Sequence, residues 1–185
     1  ALYQVNMEFQ IMKSYCATDA CNAKVLNENE IYELIKSGGG YIPEITNARR
    51  YNKGDAVYEN TKINLPAILW YGVFNDYKNT EHLQYSTNYL YCDYDIIEDI
   101  ERTKIELMNF PFIRACWKSF GGRGIGFIVV CDKITSDNLP LAYDEVCNTL
   151  NLNLDKNVRR ITQGNSILYD PYILIKMLQS IGLLW

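Results

Sequence analysis

The sequence predicts an α+β domain with a mostly antiparallel sheet. Three observations predict it. Apolar residues recur at alternate positions in short runs, as at Val5, Met7, Phe9 and Ile11. Two segments, 97–108 and 137–150, instead space their apolar residues as one helix face. Between those segments, two apolar runs are joined by the tight glycine turn Ser119-Phe-Gly-Gly-Arg-Gly-Ile-Gly126. A turn that short brings consecutive strands back antiparallel.

In chain order, residues 2–12 read as a half-buried strand. Asn27-Glu-Asn-Glu30 has the spacing of a capping box and opens a helix that ends at Ser37-Gly-Gly-Gly40. Residues 41–62 are polar and rich in Asn, Arg and Lys. They are expected to form a long connection, with Arg49, Arg50 and Lys53 as an exposed charge cluster. Residues 65–74 are apolar, with Pro66 near the start and Gly72 inside, and read as one strand. A turn-rich loop follows over 75–86. Residues 89–94 are aromatic and apolar and form the next strand. The helix over 97–108 is stopped by Asn109-Phe-Pro111. Strands are expected over 113–118 and 127–131, flanking the glycine turn. From Asp137 onward, Leu139, Ala142, Tyr143, Val146, Cys147 and Leu150 fall on one helix face. A short loop carries Asp155. Val158-Arg-Arg-Ile161 reads as a strand, Ser166-Ile-Leu-Tyr169 follows, and Asp170-Pro171 reads as the cap and first turn of a last helix.

The chain's 185 residues suit one domain or two tightly packed halves. Its formal net charge of −4 gives no global basic field of the kind that advertises nucleic acid. Six cysteines include no CxxC pair, and His82 is the sole histidine, so a structural zinc site is not expected. Cys92, Cys116 and Cys131 sit in apolar runs and read as small buried hydrophobes. A reducing cytosol fits better than secretion. No apolar run is long enough to span a membrane. The start at Ala1 and the apolar end Gly182-Leu-Leu-Trp185 suggest a domain cut from a longer protein.

The most informative residues are Asp93 and Asp95. Residues two apart in a strand face the same way, so two carboxylates share one face of its carboxyl end. Like charges that close call for a counter-charge, and a divalent cation with oxygen ligands supplies one. Asp95 is alternatively an N-cap for the helix that follows. The glycines of the turn match neither a dinucleotide fingerprint nor a P-loop. They serve as a plain hairpin or as a phosphate cradle.

Three features follow in order: the Asp-x-Asp strand, the Ser-Phe-Gly-Gly-Arg-Gly hairpin, and Leu154-Asp155 with Arg159 and Arg160. The order resembles the archaeo-eukaryotic primase–polymerase superfamily, and most closely the VirE-type N-terminal primase-polymerase domain of phages and mobile elements. Leu65-Pro-Ala-Ile-Leu-Trp-Tyr-Gly-Val-Phe74, Tyr91-Cys-Asp-Tyr-Asp95, Lys118-Ser-Phe-Gly-Gly-Arg-Gly-Ile-Gly-Phe127 and Ser166-Ile-Leu-Tyr-Asp-Pro171 carry it, over residues 60–172. The resemblance implies a single domain over 1–185. An α/β N-terminal module (1–75) would pack on an RRM-like, mostly antiparallel catalytic module (85–185).

The same resemblance implies residue roles. Asp93, Asp95 and Asp155 would be the catalytic carboxylates and would hold Mg²⁺ or Mn²⁺. Ser119 and the backbone of Gly121, Gly122, Arg123 and Gly124 would cradle a nucleoside triphosphate. Arg159 or Arg160 would face phosphate or template. The activity implied is template-directed nucleotidyl transfer on a DNA template and primer. The setting would be phage or mobile-element replication in the cytoplasm of a bacterial host, with a helicase domain or protein as partner. One departure stands out. Gly126 occupies the position where the superfamily carries a histidine or lysine, which removes a triphosphate contact. That favours a rival reading, a catalytically weakened module that binds nucleic acid or a partner. A third reading is a metal-dependent nuclease, for which His82 is the available histidine base. Asp170 is a rival to Asp155 as third carboxylate.

Overall fold

The computed structural model describes residues 7–95, 97–132 and 134–177. Strands β1 (Glu8–Met12) and β2 (Lys24–Asn27) are followed by helices α1 (Glu28–Ser37), α2 (Ile42–Ala48) and α3 (Ala56–Asn64). Next come β3 (Ala67–Leu69), β4 (Gly72–Phe74), β5 (Leu83–Ser86), β6 (Tyr89–Tyr94) and α4 (Ile100–Met108). The chain continues through β7 (Ile113–Lys118), β8 (Ile125–Val130), α5 (Leu139–Leu150), β9 (Gly164–Ser166) and β10 (Leu174–Ile175). The predicted α+β class holds, and the strand pairings are antiparallel.

Two four-stranded sheets organise the domain. One has the order β2-β1-β3-β9 and the other β10-β7-β8-β6, while β4 and β5 form a separate ribbon. A single large core joins the two sheets. Its centre is aromatic: Trp70 stacks on Trp117 with ring centroids 4.9 Å apart, and both stack on Tyr91. Burial of such rings dominates core energetics. Cys92, Cys116 and Cys131 are buried in this core, as their apolar context predicts.

Several elements follow the sequence closely. The capping box forms as read: Asn27 accepts from the Glu30 N–H, and Glu30 accepts from the Asn27 N–H. α5 buries Leu139, Ala142, Tyr143, Val146 and Leu150 along one face. α4 begins later than expected because Asp99, not Asp95, caps it by accepting from Arg102 N–H at 3.0 Å. Of the expected strand over 2–12, the part from Glu8 is found, and residues 2–6 lie outside the described residues. So does the apolar stretch 182–185.

Other expectations are corrected. Residues 41–62 are not a long connection but carry α2 and nearly all of α3. α2 buries Ile45 and Ala48, and α3 buries Tyr58. Helices that bury so little leave no readable periodicity. Residues 65–74 form two strands in different sheets, not one. The loop over 75–86 contains β5. Val158–Ile161 is no strand, since Lys156–Val158 is a 3₁₀ turn. Asp170 does not cap a helix; a turn follows it and then the edge strand β10. Among the described residues, no helix is long and apolar enough to cross a membrane.

Candidate active site

The end of β6 forms one wall of a small, partly open cleft of ≈ 50 Å³. Tyr91, Asp93 and Asp95 all line it, as two-residue alternation requires. Lys53, Tyr58 and Lys62 come from α3 and the turn before it. Ser119, Phe120 and Gly121 form the rim, and Asn165, Ser166 and Leu168 close the far side from β9 onward. The cleft therefore takes residues from both main sheets.

Asp93 is half-buried, and its Oδ1 is buried without a hydrogen-bond partner. Burial, and after it the Asp95 carboxylate, push the Asp93 carboxyl up to about 7. Lys62 pulls it back, Asp155 adds to the rise, and Lys53 opposes it. Asp95 is exposed and accepts from Lys53 Nζ at 3.2 Å. For Lys53, burial disfavours the ammonium, but Asp95, Asp155 and Asp93 outweigh it and raise the pKa. The cleft is thus an acidic pair with two lysines as its resident counter-charges.

The glycine hairpin is held from three sides. Ser119 N–H donates to the Gly124 carbonyl at 2.8 Å, and Ser119 Oγ accepts from the Gly124 N–H at 3.1 Å. Gly122 adopts a positive φ of 72°, which a side chain would strain, and donates its N–H to the Ser119 carbonyl. Arg49 reaches in from the end of α2. Its Nε donates to the Phe120 carbonyl at 3.0 Å, and its Nη2 to the carbonyls of Ser119 and Tyr169 at 3.1 and 2.7 Å. Behind the hairpin, Asp170 Oδ2 accepts from the Lys118 N–H at 2.7 Å and from Lys104 Nζ at 2.9 Å. Both Asp170 and Lys104 are fully buried.

Gly126 lies opposite both Asp93 on β6 and Trp117 on β7. A Cβ there would stand 2.5 Å from Trp117 Nε1 and 3.0 Å from its Cε2. The indole fills the space that a histidine or lysine would need, so glycine is dictated by Trp117.

A sequence model of the BT4734-like, N-terminal domain family matches residues 60–174, more than half of the chain. The chain belongs to that family. The matched span nearly coincides with residues 60–172, which carry the resemblance read from the sequence. No curated protein matches the chain. The AEP domain of the primase-polymerase (PrimPol) of cyanophage S-2L is similar at 11% identity and a TM-score of 0.41, covering 96% of this chain and 89% of that chain. That likeness is too distant to carry an argument.

Within this family domain, the residues singled out from the sequence fall into three groups. Asp93, Asp95, Ser119 and Gly121 line one cleft. Asp155 is tied to the same strand, its N–H donating to the Asp93 carbonyl at 2.9 Å, but its Oδ1 accepts from the Asn157 N–H and it does not line the cleft. Among the described residues, no trio of acidic, cysteine or histidine side chains converges as a metal cage. Arg123 turns outward and donates to Asn52 Oδ1. Arg159 pairs with Asp144 at 3.2 Å and Arg160 is exposed; both line a separate depression with Lys156 and Pro140. Asp170 is committed to Lys104, so it is no rival ligand. Sequence reasoning passed over Tyr58, Lys62 and Asn165. Of the expected exposed cluster, Arg50 and Lys53 are exposed, whereas Arg49 is half-buried with its guanidinium on the hairpin carbonyls. The cluster Arg49-Arg50-x-x-Lys53 was the signal available for Arg49 and Lys53.

Proposed function

We propose that this domain binds a nucleoside triphosphate and a DNA template-primer in the cleft and catalyses nucleotidyl transfer. The observation that carries the reading is Asp93: a carboxylate buried beside a second one, with an orphaned oxygen, facing a cleft rimmed by a glycine hairpin. Such a group is costly unless a cation or ligand completes it. Asp93 and Asp95 would hold Mg²⁺ or Mn²⁺, with Asp155 adding negative charge behind them. A divalent cation there supplies charge neutralisation for phosphate oxygens.

The chain's own residues then have defined tasks. Ser119 and the N–H groups of Gly121 and Arg123, which make no hydrogen bond within the hairpin, are available to phosphate oxygens. The N–H groups of Gly122 and Gly124 are spent inside the turn. Lys53 and Lys62 compensate phosphate charge from the opposite wall. Arg49 fixes the hairpin's position. Arg159 and Arg160 lie outside the cleft lining and fit a longer nucleic-acid track. The reading treats 1–185 as one domain with modules over 1–75 and 85–185, working in the replication of a phage or mobile element in the bacterial cytoplasm, alongside a helicase.

A second reading is favoured by one observation: Trp117 fills the place over Gly126, so β8 offers no cation to the triphosphate. The domain would then bind single-stranded nucleic acid or a partner without extending it. Primer extension with Mn²⁺, comparing wild type with Asp93→Ala/Asp95→Ala, separates the two. Extension by the wild type alone supports catalysis. Intact single-strand binding with no extension by the wild type rejects it.

A further inference from the structure

Two acceptor oxygens in the cleft have no donor. Asp93 Oδ1 and Asn165 Oδ1 are both buried and make no hydrogen bond. Both residues line the same cleft. They reach it from different sheets, Asp93 on β6 and Asn165 on β9. Asn165 is not free to turn away with its backbone, because it sits in register with Ile68 of β3. The next residue, Ser166, is pinned as well, its Oγ donating to the Lys62 carbonyl at 2.7 Å.

Buried acceptors without donors are rare in native proteins and ask for an explanation. With Asp93 ionised these two cannot satisfy each other, since a carboxylate and an amide oxygen both accept. Lys53 is engaged by Asp95 at 3.2 Å, and Lys62 acts on Asp93 through its charge with no hydrogen bond between them. An occupant that meets both orphans must be a donor or a cation. Beside two carboxylates, the electrostatics favour the cation.

We propose that the Asn165 amide oxygen is a neutral ligand of the divalent cation held by Asp93 and Asp95. The inference rests on the metal reading given above. Two carboxylates and an amide carbonyl make an all-oxygen donor set, which selects Mg²⁺ or Mn²⁺ over softer ions. Asp155 is less suited, since its Oδ1 already accepts from the Asn157 N–H at 2.9 Å.

Mn²⁺ titrated into the full chain without nucleotide, read by calorimetry or by loss of the free-ion spin-resonance signal, tests this. Wild type should bind, and Asp93→Asn should lose most binding. Asn165→Ala should weaken Mn²⁺ by about tenfold, and Asn165→Asp should restore or tighten it. The metal-free melting temperature of Asn165→Ala should not fall, because an orphaned oxygen is removed. Wild-type affinity in Asn165→Ala, with Asp93→Asn defective, overturns the role of Asn165 and leaves the metal reading standing. A lower metal-free melting temperature together with weak binding that Asn165→Asp does not rescue makes Asn165 a packing residue and also overturns it. No Mn²⁺ binding by the wild type removes the metal reading itself, and this inference with it.

Discussion

Replacing Asp93 by Asn should stabilise the metal-free domain at alkaline pH while removing its function. Burial, then Asp95, hold the Asp93 carboxyl at about 7, against roughly 4 in an unfolded chain. Below pH 4 the group is protonated in both states and contributes nothing. Between pH 4 and 7 the unfolded chain loses its proton while the fold retains one, so stability falls as pH rises. Above pH 7 the penalty is complete, at most about 4 kcal/mol at about 1.4 kcal/mol per tenfold. Asn keeps the shape and carries no charge. Its stabilising effect should therefore be absent near pH 4 and reach a few kcal/mol at pH 8, a rise of roughly 5–15 °C in melting temperature for a domain of this size. Denaturant melts of both proteins across that pH range, in chelator, are the assay. The sign also predicts the effect of metal: Mn²⁺ at pH 8 should raise the wild-type midpoint and leave that of Asp93→Asn unmoved. An Asp93→Asn protein that is equally or less stable than wild type at both pH values would refute the claim that Asp93 is held ionised at a cost.

Three other perturbations give clear expectations. Arg49→Ala removes donors from the carbonyls of Ser119, Phe120 and Tyr169 and should cost about 2–4 kcal/mol; hydrogen exchange should quicken at 119–124, and triphosphate binding should weaken more than single-strand binding. Gly126→Ala places a methyl 2.5 Å from Trp117 Nε1 and should cost about 1–3 kcal/mol, a loss that Trp117→Phe in the same chain should partly relieve, as a double-mutant cycle by thermal melting would show. Asp170→Ala leaves the buried Lys104 ammonium with the Glu101 carboxylate and the Tyr172 carbonyl as its partners but removes the acceptor of the Lys118 and Tyr172 N–H groups, and should cost about 1–3 kcal/mol, measured by urea titration.

Features set by near neighbours in the chain were legible; features set across it were not. The capping box at Asn27 and Glu30 lies within one turn, so its residues announce it. The shared face of Asp93 and Asp95 follows from strand alternation alone. α2 and α3 escaped because one or two buried side chains cannot make a period. The break between β3 and β4 falls at Trp70 and Tyr71, which are both buried, so hydropathy runs straight through it. Asp170 followed by proline has the local signature of a cap, but Lys104, sixty-six residues earlier, claims its carboxylate instead. Asn165 carries no local sign at all, because its orphaned oxygen has meaning only opposite a strand from the other sheet.

The same distinction bears on what Gly126 means. From the sequence, glycine there is a missing cation. In the fold, Gly126 is the partner of an indole: Trp117 fills the site and stacks on Trp70 and Tyr91, and that stack supports the strand bearing Asp93. A lysine at this position would have to displace a core tryptophan. The positive charge around the cleft comes from elsewhere, from Lys53 and Lys62 at its wall and from Arg49 behind the hairpin. These groups sit at the end of α2, on the turn before α3 and on α3 itself, in a segment whose composition reads as loop. A charge needed near phosphate is defined by its place in space, and different elements can deliver it. It follows that Lys53→Ala/Lys62→Ala, not Gly126→Lys, is the substitution that should most weaken triphosphate binding. Gly126→Lys should fail first by melting temperature, because its side chain meets Trp117 before it meets any ligand.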